Sequence, residues 1–395
     1  MPRTMFWCFT GSRAGWFLLY CICSVLPGGC GMGAVQAQVA PLDREPDKMW
    51  IRPTGPGQPL LWGRRNGIVF GLPSDGGIKG PRGLIRIGVM EAGDTQPQLL
   101  NYIAVEPVTA GPGRRFDRIA FSELEMSELD PGQRGKRMTV HADTTIGESA
   151  IPGSLETVKG GKATVERLSV RIDVEPFQAN GAHVFVIASI DSDHPSELRL
   201  QPFAESDSAP LEENTVTATM GNYERLRLLW LNDRVIESTA LFADYSGDAF
   251  TEKWSYPLTD LLRTDDGGAI AFCSSDEASP KQSAANATAH WVYPLEKYTQ
   301  YWRVRGADVQ PDLRARVNAR RVYWNSTEPV PGGVAFENFE LRERYVAGQV
   351  FIFGVSRREP WELYEGSGTV RSYASPSGEQ ARQPNEHVRR EGVTP

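Results

Sequence analysis

Past Cys30 the chain is almost without cysteine. Cys8, Cys21, Cys23 and Cys30 lie near the start, and Cys273 is the one that remains. This excludes a disulfide framework and a multi-cysteine metal site in the rest of the chain. Several catalytic signatures are absent as well. There is no Gly-x-Ser-x-Gly elbow, no His-Glu-x-x-His, no phosphate-binding Gly-Lys-Ser/Thr and no Cys-x-x-Cys. Serine-hydrolase, zincin and nucleotide-dependent chemistries therefore have no motif to stand on, and no cofactor or metal is implied. Positive charge is in deficit. A formal net charge of −7 argues against a nucleic-acid partner, which requires a basic face. No apolar run is long enough for a comfortable membrane span.

What is present begins with an export signal over residues 1–37. Arg3 and Arg13 supply positive charge, residues 16–26 (WFLLYCICSVL) form the apolar run, and small residues allow cleavage after Ala37. A lipoprotein reading, with Pro27-Gly28-Gly29-Cys30 as the attachment box, competes with simple secretion; Pro27 stands where Leu is usual. An exported chain without disulfides relies on its core, which places it in a periplasm or outside the cell. Residues 38–58 read as a linker or N-terminal strap, 59–362 as the domain, and 363–395 as a polar tail expected to be disordered.

From Gly67 onward, short apolar runs alternate with Gly and Pro turns, the pattern of an all-β sandwich. Strands are expected near 68–72, 84–89, 99–105, 118–126, 136–141, 167–174, 183–190, 197–202, 268–273, 291–305, 334–342 and 350–355. Short helices are expected at 256–263 and within 308–319. In residues 215–238, Gly221-Asn222 reads as a type II′ hairpin turn and Asn232-Asp233 as a second turn. Met220 would then face Tyr223, and Arg225 and Arg227 would share a covered face needing anionic partners or a polar ligand. The rival is a helix capped by Asn222.

Four constellations carry possible chemistry. Trp291, Tyr293, Tyr298, Tyr301, Trp302, Tyr323 and Trp324 are close in sequence; they are either core or the stacking wall of a sugar cleft. In VAFENFEL (334–341), strand period puts Phe336, Asn338 and Glu340 on one face and Glu337, Phe339 and Leu341 on the other. One glutamate would then be a buried acid or base, or else an arginine's partner. Glu123 and Glu125 form a carboxylate pair or a solvated edge. His183, where a turn enters an apolar strand, is a general base or a satisfied core histidine. The acidic turn Asp191, Asp193, His194, Glu197 fits no calcium spacing.

The export signal, His183 after Asn-Gly-Ala, the arginine-bearing strand with Arg225 and Arg227, and the late strand with Glu337 and Glu340 together resemble the galactose-mutarotase-like β-supersandwich carbohydrate proteins. That resemblance implies a large antiparallel sandwich with few short helices that binds sugars on a concave sheet, often through His, Arg and Glu. On this reading the chain is an exported carbohydrate-binding or carbohydrate-active protein, a lyase, hydrolase or epimerase, acting on acidic glycans. Glu337, Glu340 and His183 would be catalytic; Arg225, Arg227, Trp291, Trp302 and Tyr301 would hold the substrate. The alternative is a non-catalytic glycan-binding or structural envelope protein.

Overall fold

The structure is a computed structural model. It describes residues 49–364 except 56, 73–82, 110–137, 141–143, 147–148, 152, 161–162, 179, 278–289, 295 and 324–325. The signal region with Cys30, the strand expected at 118–126, Glu123, Glu125, Trp324 and the C-terminal tail lie outside the described residues.

The chain is built from strands: β1 (Trp50–Ile51), β2 (Leu61–Arg64), β3 (Gly67–Gly71), β4 (Ile85–Met90), β5 (Gln98–Thr109), β6 (Met138–Val140), β7 (Thr144–Ile146), β8 (Ser149–Ile151), β9 (Ser154–Gly160), β10 (Ala163–Val174), β11 (Val184–Asp191) and β12 (Glu197–Ala204). These are followed by β13 (Leu211–Thr219), β14 (Leu226–Trp230), β15 (Val235–Glu237), β16 (Trp254–Pro257), β17 (Leu262–Arg263), β18 (Ala269–Ser275), β19 (Thr299–Val304), β20 (Arg314–Arg320), β21 (Ala335–Arg344) and β22 (Phe351–Ser356). The helices described are single turns such as Ser238–Leu241 and Pro360–Leu363.

Two large antiparallel sheets result. A nine-stranded sheet runs β1-β2-β3-β4-β5-β13-β21-β20-β16. An eleven-stranded sheet runs β15-β14-β18-β19-β22-β12-β11-β10-β6, with β17 on β18 and β9 on β10. Strand alternation decides which faces meet. In the first sheet Ile103, Val105, Val216, Ala218, Phe339, Leu341, Ala315 and Val317 fall on one face by register and are buried. In the second, Leu168, Val170, Ala188, Leu200, Phe353 and Trp302 do the same. The two apolar faces close on one another. Across this interface Trp302 Nε1 donates to the Phe339 carbonyl at 2.9 Å, and Asn101 Nδ2 donates to Gln300 Oε1 at 2.7 Å.

Four local expectations need correction. Gly221-Asn222 is not a hairpin: β13 lies in the first sheet and β14 in the second. The chain crosses between them through a single 3-10 turn, Gly221–Tyr223, so the rival long helix is absent as well. Met220 (φ 71) and Arg225 (φ 50), rather than Gly221, take the left-handed conformation, and Asn222 anchors the crossing by donating to the Val322 carbonyl at 3.0 Å. The helix expected within 308–319 is largely β20, whose alternation of Ala315, Val317 and Ala319 with Arg314, Arg316 and Asn318 suits a strand with one dry face. Residues 256–263 hold the end of β16, one 3-10 turn and β17. The face assignment in 334–341 is overturned by a bulge. Asn318 pairs with Asn338 but Ala319 with Phe336, so Glu337 is the extra residue and Phe336 and Phe339 both enter the core. The Asn232-Asp233 turn does close a hairpin, with Trp230 opposite Val235.

Gly88 sits at the register shift between β4 and β5. A Cβ there would fall 1.9 Å from the Gln98 carbonyl oxygen and 2.9 Å from the Trp291 ring. Backbone cannot yield cheaply, so Gly88→Ala is expected to lose about 3 kcal/mol or more by denaturant titration. Gly55→Ala, with nothing within 4 Å, stays within about 0.5 kcal/mol of wild type.

Candidate functional site

The second face of the nine-stranded sheet is charged, yet it is not open surface. Register places Arg86 opposite Tyr102, Tyr102 opposite Thr219, Glu106 opposite Thr215, Thr217 opposite Glu340, and Glu340 opposite Arg316. These side chains share one face by period, together with Asn338 and Arg342. All are buried; Glu340 is 0% exposed and Thr217 1%. Trp291 lies on the same face, its ring over Gly71 and Gly88, where the missing Cβ atoms leave room for it.

Glu340 is the centre of this group. Lys253 Nζ donates to its Oε1 at 2.5 Å, and Arg316 Nε stands 3.9 Å from Oε2. Burial alone would raise the Glu340 pKa; the charges of Lys253, Arg316 and Arg342 outweigh it and hold the carboxyl below its ordinary value. Glu106 moves the other way. Its burial, reinforced by the negative charge of Glu340, raises its pKa against the pull of Lys253, Arg316 and Arg342. The face therefore contains two carboxyl groups pushed apart, one toward the ionised and one toward the protonated form. Three neighbouring polar atoms, Glu340 Oε2, Thr217 Oγ1 and Asn338 Oδ1, are buried and make no hydrogen bond within the protein. Such atoms are uncommon in a folded chain and cost roughly 1–3 kcal/mol each.

The residues singled out from sequence are dispersed. Glu337 and Glu340 are both fully buried on β21, Glu337 at the bulge and Glu340 on the charged face. His183 precedes β11 in the other sheet, where its Nδ1 meets Asp207 Oδ1 at 2.6 Å and its amide donates to Ser208 Oγ. Arg225 and Arg227 follow the crossing and pair with acidic residues after β18: Arg225 with Glu277 at 2.5 Å, Arg227 with Asp276 at 2.8 Å and Glu277 at 3.0 Å. Arg227 also donates to the Pro331 carbonyl. Trp302 is in the inter-sheet core, and alternation sends Tyr301 to the outer side, where its hydroxyl donates to Glu197. Trp291 and Glu340 are thus brought to one face, while His183, Arg225, Arg227, Tyr301 and Trp302 are held elsewhere by their own partners.

Sequence reasoning missed Glu106, Lys253, Arg316 and Arg342. The signal for Arg316 lies in the alternating run RARVNAR, 314–320. Glu106 follows the apolar run 103–105 in β5 and precedes Pro107, where a buried acid has no motif. Among the described residues, no group of three or more His, Cys, Asp or Glu is placed to hold a metal ion. Comparison with known protein families, characterised proteins and solved structures finds no match to the chain.

Further along β21, Glu343 is fully buried. Gln349 Nε2 donates to it at 2.7 Å and the Gln310 amide at 3.2 Å. Burial pushes its pKa up from 4.5 to about 7. A carboxyl whose folded pKa is raised contributes stability that is fully present below about pH 4.5 and is lost as pH rises to about 7. Glu343→Gln removes that loss. Its stability relative to wild type should be higher at pH 8 than at pH 4.5 by on the order of 3 kcal/mol. Urea titrations at both pH values check this; an equal difference at the two would refute it.

Proposed function

We propose that this chain is an exported carbohydrate-active protein that receives an acidic glycan on the charged face of its nine-stranded sheet. The observation that carries the reading is the trio of buried polar atoms without partners, on Thr217, Asn338 and Glu340. A sugar hydroxyl both donates and accepts, so one polyol can serve a carboxylate oxygen, an amide oxygen and a hydroxyl at once. Lys253 and Arg316, both beside Glu340, are the cations a substrate carboxylate or sulfate would meet there; Arg342 is committed to Glu213. Trp291 stands over β3 and β4, with β5 and β13 between it and Glu340, so it would bound only a distant part of an extended glycan. The resemblance to galactose-mutarotase-like supersandwich proteins, which rests on the sequence, supports a sugar ligand, but of the residues that carry it only Glu340 is on this face.

The opposed carboxyl groups define the chemistry. Glu340, held ionised, is the general base; Glu106, biased toward its protonated form, is the general acid. Neither Arg225 nor Arg227 takes part. Their pairing with Asp276 and Glu277 is the observation that favours the second reading, a glycan-binding or structural envelope protein whose arginines are internal.

A panel of neutral and anionic polysaccharides separates the two. Wild type is expected to release reducing or unsaturated ends from an anionic polymer. Glu340→Gln and Glu106→Gln should each lower kcat by about 10²–10⁴ while binding is kept within about tenfold. Binding without product in wild type supports the non-catalytic reading; unchanged turnover in both variants removes the assignment of acid and base.

A further inference from the structure

A different feature lies on the outer face of the eleven-stranded sheet. Arg199 on β12 stands opposite Ser189 on β11 and Ile352 on β22. It is 91% buried by side-chain and backbone surface together, its exposure being 9%. Its neighbours do not neutralise it. Asp191 is the nearest carboxylate, at 4.0 Å, and both Asp191 oxygens are already taken by Arg167, at 2.6 and 2.9 Å. Glu197, two residues before Arg199 on the same face, is likewise committed: its oxygens accept from Arg303 Nε at 2.8 Å, Arg303 Nη2 at 2.5 Å and the Tyr301 hydroxyl at 3.0 Å. Arg199 Nε and Nη1 are buried without a hydrogen bond.

Other arginines crowd Arg199. Arg305 and Arg167 both press on Arg199; Asp191 and Asp308 oppose them, and Asp191 belongs to Arg167. Burial and these two arginines together bring the Arg199 pKa down to about 10. Arg167 has Glu156 and Asp193 near it besides Asp191, so it is Arg199, 4.0 Å from an Asp191 already bonded to Arg167, that lacks a directly bonded anion in a place where that is costly. Nε and Nη1 lie on different edges of the guanidinium, each sharing its edge with Nη2, so an oxyanion can meet either edge, as Asp191 meets the Nε and Nη2 edge of Arg167.

We propose that Arg199 and Arg305 form an oxyanion-binding site on the outer face of the eleven-stranded sheet, for a carboxylate, sulfate or phosphate group. Arg199 receives the anion through its unused guanidinium nitrogens, and the half-buried Arg305, on the segment after β19, adds its positive charge nearby. Arg167 stays with Asp191 and adds field without a direct bond. The site is on the other sheet from Glu340 and does not rest on the proposed glycan chemistry there.

The experiment is calorimetric titration of the full chain with sodium sulfate, sodium phosphate and sodium glucuronate, each against sodium chloride at matched ionic strength. Wild type is expected to show saturable one-to-one binding of at least one of these anions. Arg199→Gln should weaken it at least tenfold and Arg305→Gln several-fold. Tighter binding of glucuronate than of sulfate or phosphate identifies an acid sugar as the source of the anion, and the reverse order identifies a sulfate or phosphate ester. Glu340→Gln should leave the titration unchanged, so this site and the proposed glycan site fail separately. Heats in wild type no larger than those of matched chloride would overturn the proposal, as would wild-type affinity in the Arg199 and Arg305 variants. Should Arg199→Gln fail to fold, the half-exposed Arg305→Gln decides by the same comparison.

Discussion

Lys253 reaching Glu340 at 2.5 Å is the contact on which the second face of the nine-stranded sheet depends. A carboxylate with no exposed surface costs several kcal/mol unless a cation and hydrogen bonds accompany it. Once Glu340 is held ionised there, its charge raises Glu106, and Arg316 and Arg342 find their place beside the pair. Most of the polar residues on β5, β13, β21 and β20 then follow the strand period; Asn101, Asn214 and Glu343 fall on the opposite face. Thr215, Thr217 and Thr219 can pack among charges because Val216 and Ala218, between them, carry the opposite face into the dry core. Lys253 is the largest of the three charges that hold Glu340 down, ahead of Arg316 and Arg342.

Much of the fold could be read from period and turns. Residues 167–174 alternate cleanly and form part of β10; the apolar run from His183 contains β11, which turns back into β12 across residues 192–196. The errors have specific physical sources. Gly221-Asn222 offers the chemistry of a hairpin, but local chemistry cannot tell whether the two flanking strands pair with each other or with different sheets. Here Thr219 pairs with Tyr102 and Asn338, and Leu226 with Ser275. The bulge at Glu337 is equally invisible, because one extra residue reverses every face on one side of it while leaving composition unchanged. That is why Glu340 could be named while Phe336 was put on its face. In residues 314–320, charge density masked an alternation that the buried Ala315, Val317 and Ala319 make plain.

The site was less legible than the fold for a related reason. Glu340 and Trp291 stand out in sequence by type, as a carboxylate among aromatics and as an aromatic in a cluster. Glu106, Lys253 and Arg316 come from separate strands or their approaches, and only the register of the sheet brings them together. The aromatic cluster misleads in the opposite direction. Neighbours in sequence such as Tyr301 and Trp302 point to opposite faces of β19, one bonded to Glu197 and the other to the Phe339 carbonyl. Proximity along a strand separates side chains as readily as it collects them.

The molecule also contains its own standard for telling a structural ion-pair network from a binding face. Glu197 with Arg303 and Tyr301 is a network whose carboxylate has both oxygens engaged, and Asp191 with Arg167 is another. Closed networks of this kind rigidify a surface and leave nothing to offer a ligand. Arg225 and Arg227 with Asp276 and Glu277 likewise meet acidic side chains of the chain itself. Glu340 Oε2, Thr217 Oγ1 and Asn338 Oδ1 on one sheet, and Arg199 Nε and Nη1 on the other, break that rule although they are just as deeply buried. A sequence that satisfies its buried charges on neighbouring strands has the side chains to satisfy these also. On the proposed reading, the first group suits a hydroxyl-rich ligand and the second an oxyanion.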